Sequence, residues 1–377
     1  MTRISPRTIH EGTSQEVMKL VISNGMTDSS SGGGLHASGY DTVTVVNCHV
    51  VDHQKKPGVT GSSGYGAYFS GGSVMISNTT FAHNNGHVNG GSVGAAAGIH
   101  ALNVDMVIID SMFISNSLAH FDTRDGFGGG AILASGGSLA ISNTAFTGNH
   151  GGPGSTSFPS TKGGGALHLT GNLKVSLVNC AFANNETAWP GDAARKPSGG
   201  AIFVTVGVNT VVVENCSFGW NHAQHHGGAI HNRSGTVIIK NSILFGNTAG
   251  LGGDQMYITN AAFVSNDYVM ISGTGVPQVV VGTSSSIVWG TGIRIGEDPL
   301  FAGTNDLHLM SRAGRYDPLL MGFVSDSKTS PAIDGGDPDS PFSKEPDPRG
   351  KRINLGAYGN TAQASKSPVG GTVLLFQ

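Results

Sequence analysis

The chain has 377 residues, 38% hydrophobic and only 12% charged, with a formal net charge of −3. That balance excludes a disordered chain, and the absence of any Lys/Arg run leaves nothing for nucleic acid to recognise. The 59 glycines keep no three-residue period, which excludes collagen, and no apolar stretch reaches the ~18 residues of a membrane helix.

The opening residues, MTRISPRTIHEGTSQEVMKLVISNG, lack the apolar core of a secretory signal. Within them VMKLVISNG already has the form of the second half of a unit that recurs down the chain. The expectation is a chain that begins mid-solenoid, with any export signal outside it.

The unit is Gly-Gly-small-apolar, a connecting stretch, then Asn-x-x-Phe-x-x-Asn. First halves read GGGLHA, YGAYFS, AAGIHA, GGGAIL, GGGALH, SGGAIF and HGGAIH. Second halves read NTTFAHN from Asn78, DSMFISN from Asp110, NTAFTGN from Asn143, NCAFANN from Asn179, NCSFGWN from Asn215 and NSILFGN from Asn241. From Asn47 to Asn241 the steps are 31, 32, 33, 36, 36 and 26 residues, so inserts of variable length separate the units. Inside each unit the apolar period is two, as in Val74/Ile76, Leu139/Ile141, Val175/Leu177 and Val211/Val213, which is strand periodicity. The phase slips at the Asn, so that Thr79/Phe81, Thr144/Phe146, Cys180/Phe182 and Cys216/Phe218 face inward. Two strands joined by a sharp bend explain the slip, and Asn suits the bend because it tolerates the left-handed conformation. No unit can bury its apolar face alone, so the units must stack. Stacking predicts Phe81, Phe113, Phe146, Phe182 and Phe218 one above another in the core. It also predicts an internal amide ladder of Asn78, Asn143, Asn179, Asn215 and Asn241. Cys180 and Cys216 fall in one slot on consecutive coils, where side chains point the same way; free thiols are expected there rather than a bridge.

These GGAI and FxxN elements, over roughly residues 17 to 270, resemble right-handed parallel β-helix proteins, above all those of the polymorphic outer-membrane repeat type. The resemblance and the crossover rule both imply an all-β, right-handed parallel β-helix, with coils over residues 1–282. Residues 283–377 differ. SPAIDGGDP and the later RGKRINLGAY resemble the closing segment of many secreted bacterial β-helix proteins, which implies a last coil and an irregular C-terminal cap hiding the open end. Asp334, Asp337, Arg352 and Tyr358 are expected to pin that cap.

Aligned on the Gly pair, the third residue of each first half reads His36, Phe69, His100, Leu133, His168, Phe203, His231 and Met256. Strand alternation turns this column outward. Three readings of it stand open: burial by inserts or a neighbouring chain, a glycan-binding face, or bare surface. Its histidines, ~10 Å apart at ~4.8 Å per coil, cannot share a metal ion. Nearby, His222, His225 and His226 are the weak candidates for a metal site in NHAQHHGGAIH; solvated loop histidines are the better expectation, and no metal is called for.

Parallel β-helices also carry polysaccharide lyases and glycoside hydrolases, and the fold alone does not decide between those and a binding role. The densest polar sets are His120, Asp122, Arg124 and Asp125 in one insert and Glu186, Asp192, Arg195 and Lys196 in another, leaving the same corner of the coil. They are weak candidates for catalysis, and calcium would enter only with a lyase. The sequence thus favours a secreted or cell-surface adhesive, structural or carbohydrate-binding β-helix. Its expected partner is an extracellular polysaccharide or another protein chain; the alternative is a polysaccharide-degrading enzyme.

Overall fold

The computed structural model describes residues 3–4, 7–9, 15–27, 33–55, 64–87, 94–119, 127–152, 162–188, 196–205, 207–275 and 278–368. Among these the protein is all-β, a parallel β-solenoid without helix. Each coil gives a first strand after the glycines, a second strand leading to the Asn, and a third strand beyond it. One coil supplies Ala67–Ser70, Ser73–Ser77 and Thr80–Ala82; in the next, the first two fuse into Ile99–Ile109. The third strands stack in an eleven-stranded sheet and the first and second in a seventeen-stranded one. Among the described residues no helix is long and apolar enough to cross a membrane.

The core follows the period-two pattern. Phe81, Phe113, Phe146, Phe182 and Phe218 are fully buried and stack with centroids 5.1, 5.0, 4.8 and 4.7 Å apart, nearly coplanar. Centroid spacing equals strand spacing because identical residues sit in register. At the bend, Asn47, Asn78, Asn143, Asn179, Asn215 and Asn241 all take positive φ of 44–55°, as does Asp110. The slot after them forms a buried column of hydroxyls and thiols. There Thr79, Ser111, Thr144 and Ser242 each donate to the carbonyl two residues back. Cys48, Cys180 and Cys216 lie in the same column as free, buried thiols.

The internal amide ladder exists, but the second Asn of the motif builds it. Asn84, Asn116, Asn149, Asn185 and Asn221 are fully buried, and each donates its Nδ2 to the Oδ1 of the Asn one coil on, at 2.8–2.9 Å. The same Nδ2 reaches a carbonyl of an earlier coil, such as Phe146 for Asn185. The first Asn builds no such buried ladder: its left-handed backbone turns the side chain to the outside of the coil, where Asn78 donates to Asn47 at 2.6 Å on the surface and Asn179 and Asn241 bond the C-terminal segment. Asn78 and Asn143 are exposed.

The C-terminal segment lies along the flank of the solenoid, over the third strands, rather than across its end. The last coil runs to Ile295, which pairs with Ile271, while Ile287, Trp289 and Ile293 stay only partly buried. From there the chain turns back. Phe301 meets Trp220, Leu307 packs beside Ala181 and Ala183, and Asn184 holds Thr304 and Asn305. The residues expected to pin the segment do so. Lys240 pairs with Asp337, and Arg352 donates to the Gly336 carbonyl at 2.7 Å while lying over the Tyr268 ring. Tyr358 stacks on His308, and Asp334 accepts from Ser367.

Inside this segment Glu345 Oε1 accepts the N–H groups of Asn354 and Asn360, both at 2.9 Å. Burial, with a smaller push from Asp334, raises its carboxyl to about 7 against the opposing Arg349 and the two N–H bonds. A raised carboxyl stabilises the fold fully below its ordinary value of 4.5 and loses that contribution as pH rises towards 7. Glu345→Gln is therefore expected to raise the melting temperature at pH 8 and leave it unchanged at pH 4. An equal effect at both would show that the carboxyl is not strained by its charge.

Candidate functional site

The residue before each first strand must be small. A Cβ on Gly165 or Gly200 would collide with the carbonyl oxygen of the coil above, so the stack closes only over glycine. The next inward position packs into the core, and the one after it forms the column singled out from sequence. Strand pairing gives that column as His36, Tyr68, His100, Leu133, His168, Phe203, His231 and Tyr257.

Two assignments change. Phe69 pairs with Ala37 and Ala101 and is fully buried, because in its coil the inward pair is Ala67 and Phe69 where neighbours have Leu35/Ala37 and Ile99/Ala101. Small and large residues trade places, so the core volume is kept while the apparent alignment slips by one. Met256 likewise pairs with Ile230 in the core; its Gly pair sits one residue earlier than in other coils, leaving Tyr257 opposite His231.

The column is not an open face. His36, Tyr68, His100 and Tyr257 are partly exposed, but Leu133, His168, Phe203 and His231 are 1–2% exposed. The turn before each strand folds over it. Gly199, Gly227 and Gly253, at φ near 70°, lie so close to Phe203, His231 and Tyr257 that an added Cβ would sit 2.8–2.9 Å from theirs. Within the column the rings meet edge to face, His36–Tyr68–His100 and His168–Phe203–His231–Tyr257, at 5.0–5.3 Å. His168 Nδ1 bonds the Gly163 carbonyl at 2.7 Å, and His231 Nε2 meets Thr259 Oγ1 at 3.4 Å. His100 Nδ1 and His231 Nδ1 are buried without a partner. Burial lowers the basicity of His36, takes His100 to about 4, and holds His231 well below the ordinary range. The column is a packing seam in which burial disfavours the charged form of His36, His100 and His231.

The three other histidines disperse. His222 belongs to a short strand, His222–Ala223, and bonds Thr248 Oγ1 at 2.9 Å. His225 and His226 are neighbours at 3.9 Å, and His226 stacks flat on Tyr257. Burial, aided by His226 and Lys196, takes His225 to about 4. Among the described residues no three His, Cys, Asp or Glu side chains are placed to hold a metal ion.

Of the candidate catalytic residues, His120, Asp122, Arg124, Asp125, Asp192 and Arg195 lie outside the described residues. Lys196 is exposed. Glu186 sits in a column that runs Ser117, His150, Glu186, His222, so both inserts do leave one corner. His150 was not among the sequence candidates; the signal is its place directly after the buried Asn149, matching Glu186 after Asn185 and His222 after Asn221. Burial lowers the basicity of His150, with Glu186 pulling the other way.

Comparison with protein families, curated proteins and solved structures finds no match to this chain.

Proposed function

We propose that the protein is a secreted or cell-surface β-helix with an adhesive, structural or carbohydrate-binding role. Its contact surface is the outer face of the second strands rather than the histidine column. One observation carries this reading. A row of uncharged side chains runs from Thr44 through Met75, Val107, Ala140, Ser176, Val212, Ile238 and Ser265 to Val288, strand by strand in register. Met75, Val107, Ile238 and Val288 are 38–48% exposed. Eight steps of ~4.8 Å make the row ~40 Å long. An uncharged, largely apolar row of that length, broken only by the hydroxyls of Thr44, Ser176 and Ser265, fits a partner that is itself long and straight. The flanking row offers Ser73, Asp105, Ser138, Lys174 and Thr210, hydroxyls with a carboxylate and an ammonium beside the apolar strip, as the hydroxyls and apolar ring faces of a glycan require.

The triple substitution Met75→Lys, Val107→Lys, Ile238→Lys is expected to leave the melting curve intact, since all three point outward. It is expected to abolish retention on a panel of soluble and insoluble polysaccharides, or to dissolve any self-assembly. Unchanged retention and unchanged oligomer size would sink the assignment.

A polysaccharide lyase or glycoside hydrolase is the second reading, favoured by Glu186 standing between His150 and His222 at the root of one insert, in one column with Ser117 at the root of the other. Turnover of any polysaccharide, with or without calcium, that is lost in Glu186→Gln would replace the first reading.

A further inference from the structure

Where the C-terminal segment crosses the bend column, the column grips polypeptide backbone. Asn241 Oδ1 accepts the Asp337 N–H at 2.8 Å, and the Asn241 carbonyl accepts the Gly356 N–H at 2.8 Å. Asn179 Nδ2 donates to the carbonyls of Ala357 at 3.0 Å and Gly359 at 2.7 Å. Ser217, on a third strand, accepts the Ala357 N–H at 3.0 Å. Between Asn241 and Asn179, two coils apart, the column thus holds a run of turns, Gly356 to Thr361, largely by its main-chain groups, with the Ser340 hydroxyl as a side-chain contact.

The column continues past the end of this contact. Asn143 and Asp110 occupy the next two positions, share the same left-handed backbone, and are exposed. At the junction lies a cleft of 420 Å³, within the ~300–1,000 Å³ range of ligand sites. Its floor is Met112, Ala145 and Ala181, from three successive third strands, and its far wall is Thr361 to Gln363.

We infer that this cleft binds a polypeptide turn with small, uncharged side chains, beside the turns by which the C-terminal segment already seats on the same column. Asn143 offers an amide that both donates and accepts, and Asp110 a carboxylate that accepts an N–H, repeating the donor and acceptor pattern that Asn241, Ser217 and Asn179 use on residues 356–359. The floor of alanines and one methionine leaves room for small side chains. A glycan would want an aromatic platform; Tyr358, the ring at the wall, has a face taken by His308 at 3.5 Å. This site is separate from the strand face proposed above and does not depend on it.

The test uses a fluorescein-labelled peptide of residues 355–364, LGAYGNTAQA, titrated onto the full chain and followed by anisotropy. Saturable binding is expected, weakened at least tenfold by Asn143→Gly and by Met112→Lys, and unchanged by Leu251→Lys at an exposed position outside both sites. Gly accepts the positive φ of position 143 without strain, so that variant keeps its melting temperature and reads the amide alone. Absence of saturable binding, or binding indifferent to both cleft substitutions, overturns the inference. Displacement of the peptide by an equal concentration of a neutral hexasaccharide also overturns it and assigns the cleft to a glycan.

Discussion

Asn185→Ala is expected to cost about 3–4 kcal/mol, read as a fall in the urea midpoint at unchanged slope. Asn185 Oδ1 accepts both the backbone N–H of Asn149 at 3.1 Å and its Nδ2 at 2.9 Å, while its own Nδ2 serves Phe146 O and Asn221 Oδ1. The site is fully buried, so water cannot take over those partners. One unsatisfied buried group costs about 1–3 kcal/mol, and the cavity left by the amide adds to it. Asn143→Gly, at the exposed bend one coil away, is expected to change stability by no more than ~0.5 kcal/mol. If the two substitutions cost the same, the ladder does not carry the load assigned to it.

Acid is expected to unfold the protein through its histidine column, between the ordinary imidazole range near 6.5 and about 4. The direction follows from linkage. Burial depresses the folded-state basicity of His100 and His231, so the unfolded chain binds more protons. Stability is then complete above the unfolded value and is lost as pH falls towards the folded one. For His100, held at about 4, the loss amounts to ~3 kcal/mol at most. The groups around His231 act in the same sense, since His226, Arg233 and His225 all oppose its charge. Leu133 fills the same column unaided, so the double substitution His100→Leu, His231→Leu fits the packing. That variant is expected to match the parent at pH 8 and exceed it clearly at pH 4.5. A variant that melts in acid exactly as the parent does would show that the column stays neutral or vented at low pH.

The strand period, the bend and the phenylalanine stack were legible because each repeats in one phase and each has a single physical solution. The amide ladder was placed on the wrong Asn because the motif holds two. One signal could have separated them. The first slot admits Asp110, a charge that no dry ladder tolerates, whereas the second holds Asn in five successive coils, Asn84, Asn116, Asn149, Asn185 and Asn221, and gives way to the neutral His53 before them. The outward column slipped at Phe69 and Met256 because the alignment was anchored on glycines, while the fold is anchored on core volume. Its burial stood only as one of three open readings, and was expected from inserts or a neighbouring chain, since the covering glycines act through the conformation of a turn. The cleft was equally hidden, being formed by coils around Asn143 and a segment some two hundred residues later.

That segment also changes what kind of object the solenoid is. A plain stack of coils is a one-dimensional chain in which each rung feels only its two neighbours, and disorder can creep in from either end. Bonds from Asn179, Asn184, Ser217, Lys240 and Asn241 to residues 304–359 splint several rungs to a single strap. Rungs under the strap must open together or not at all, while those from Thr42 to Thr147 remain free to fray one by one. Slow amide exchange should therefore fall in two classes along the molecule, with a step at the rung that begins near Asn179. A ribosome that has not yet delivered residue 359 has made a ladder still without its brace.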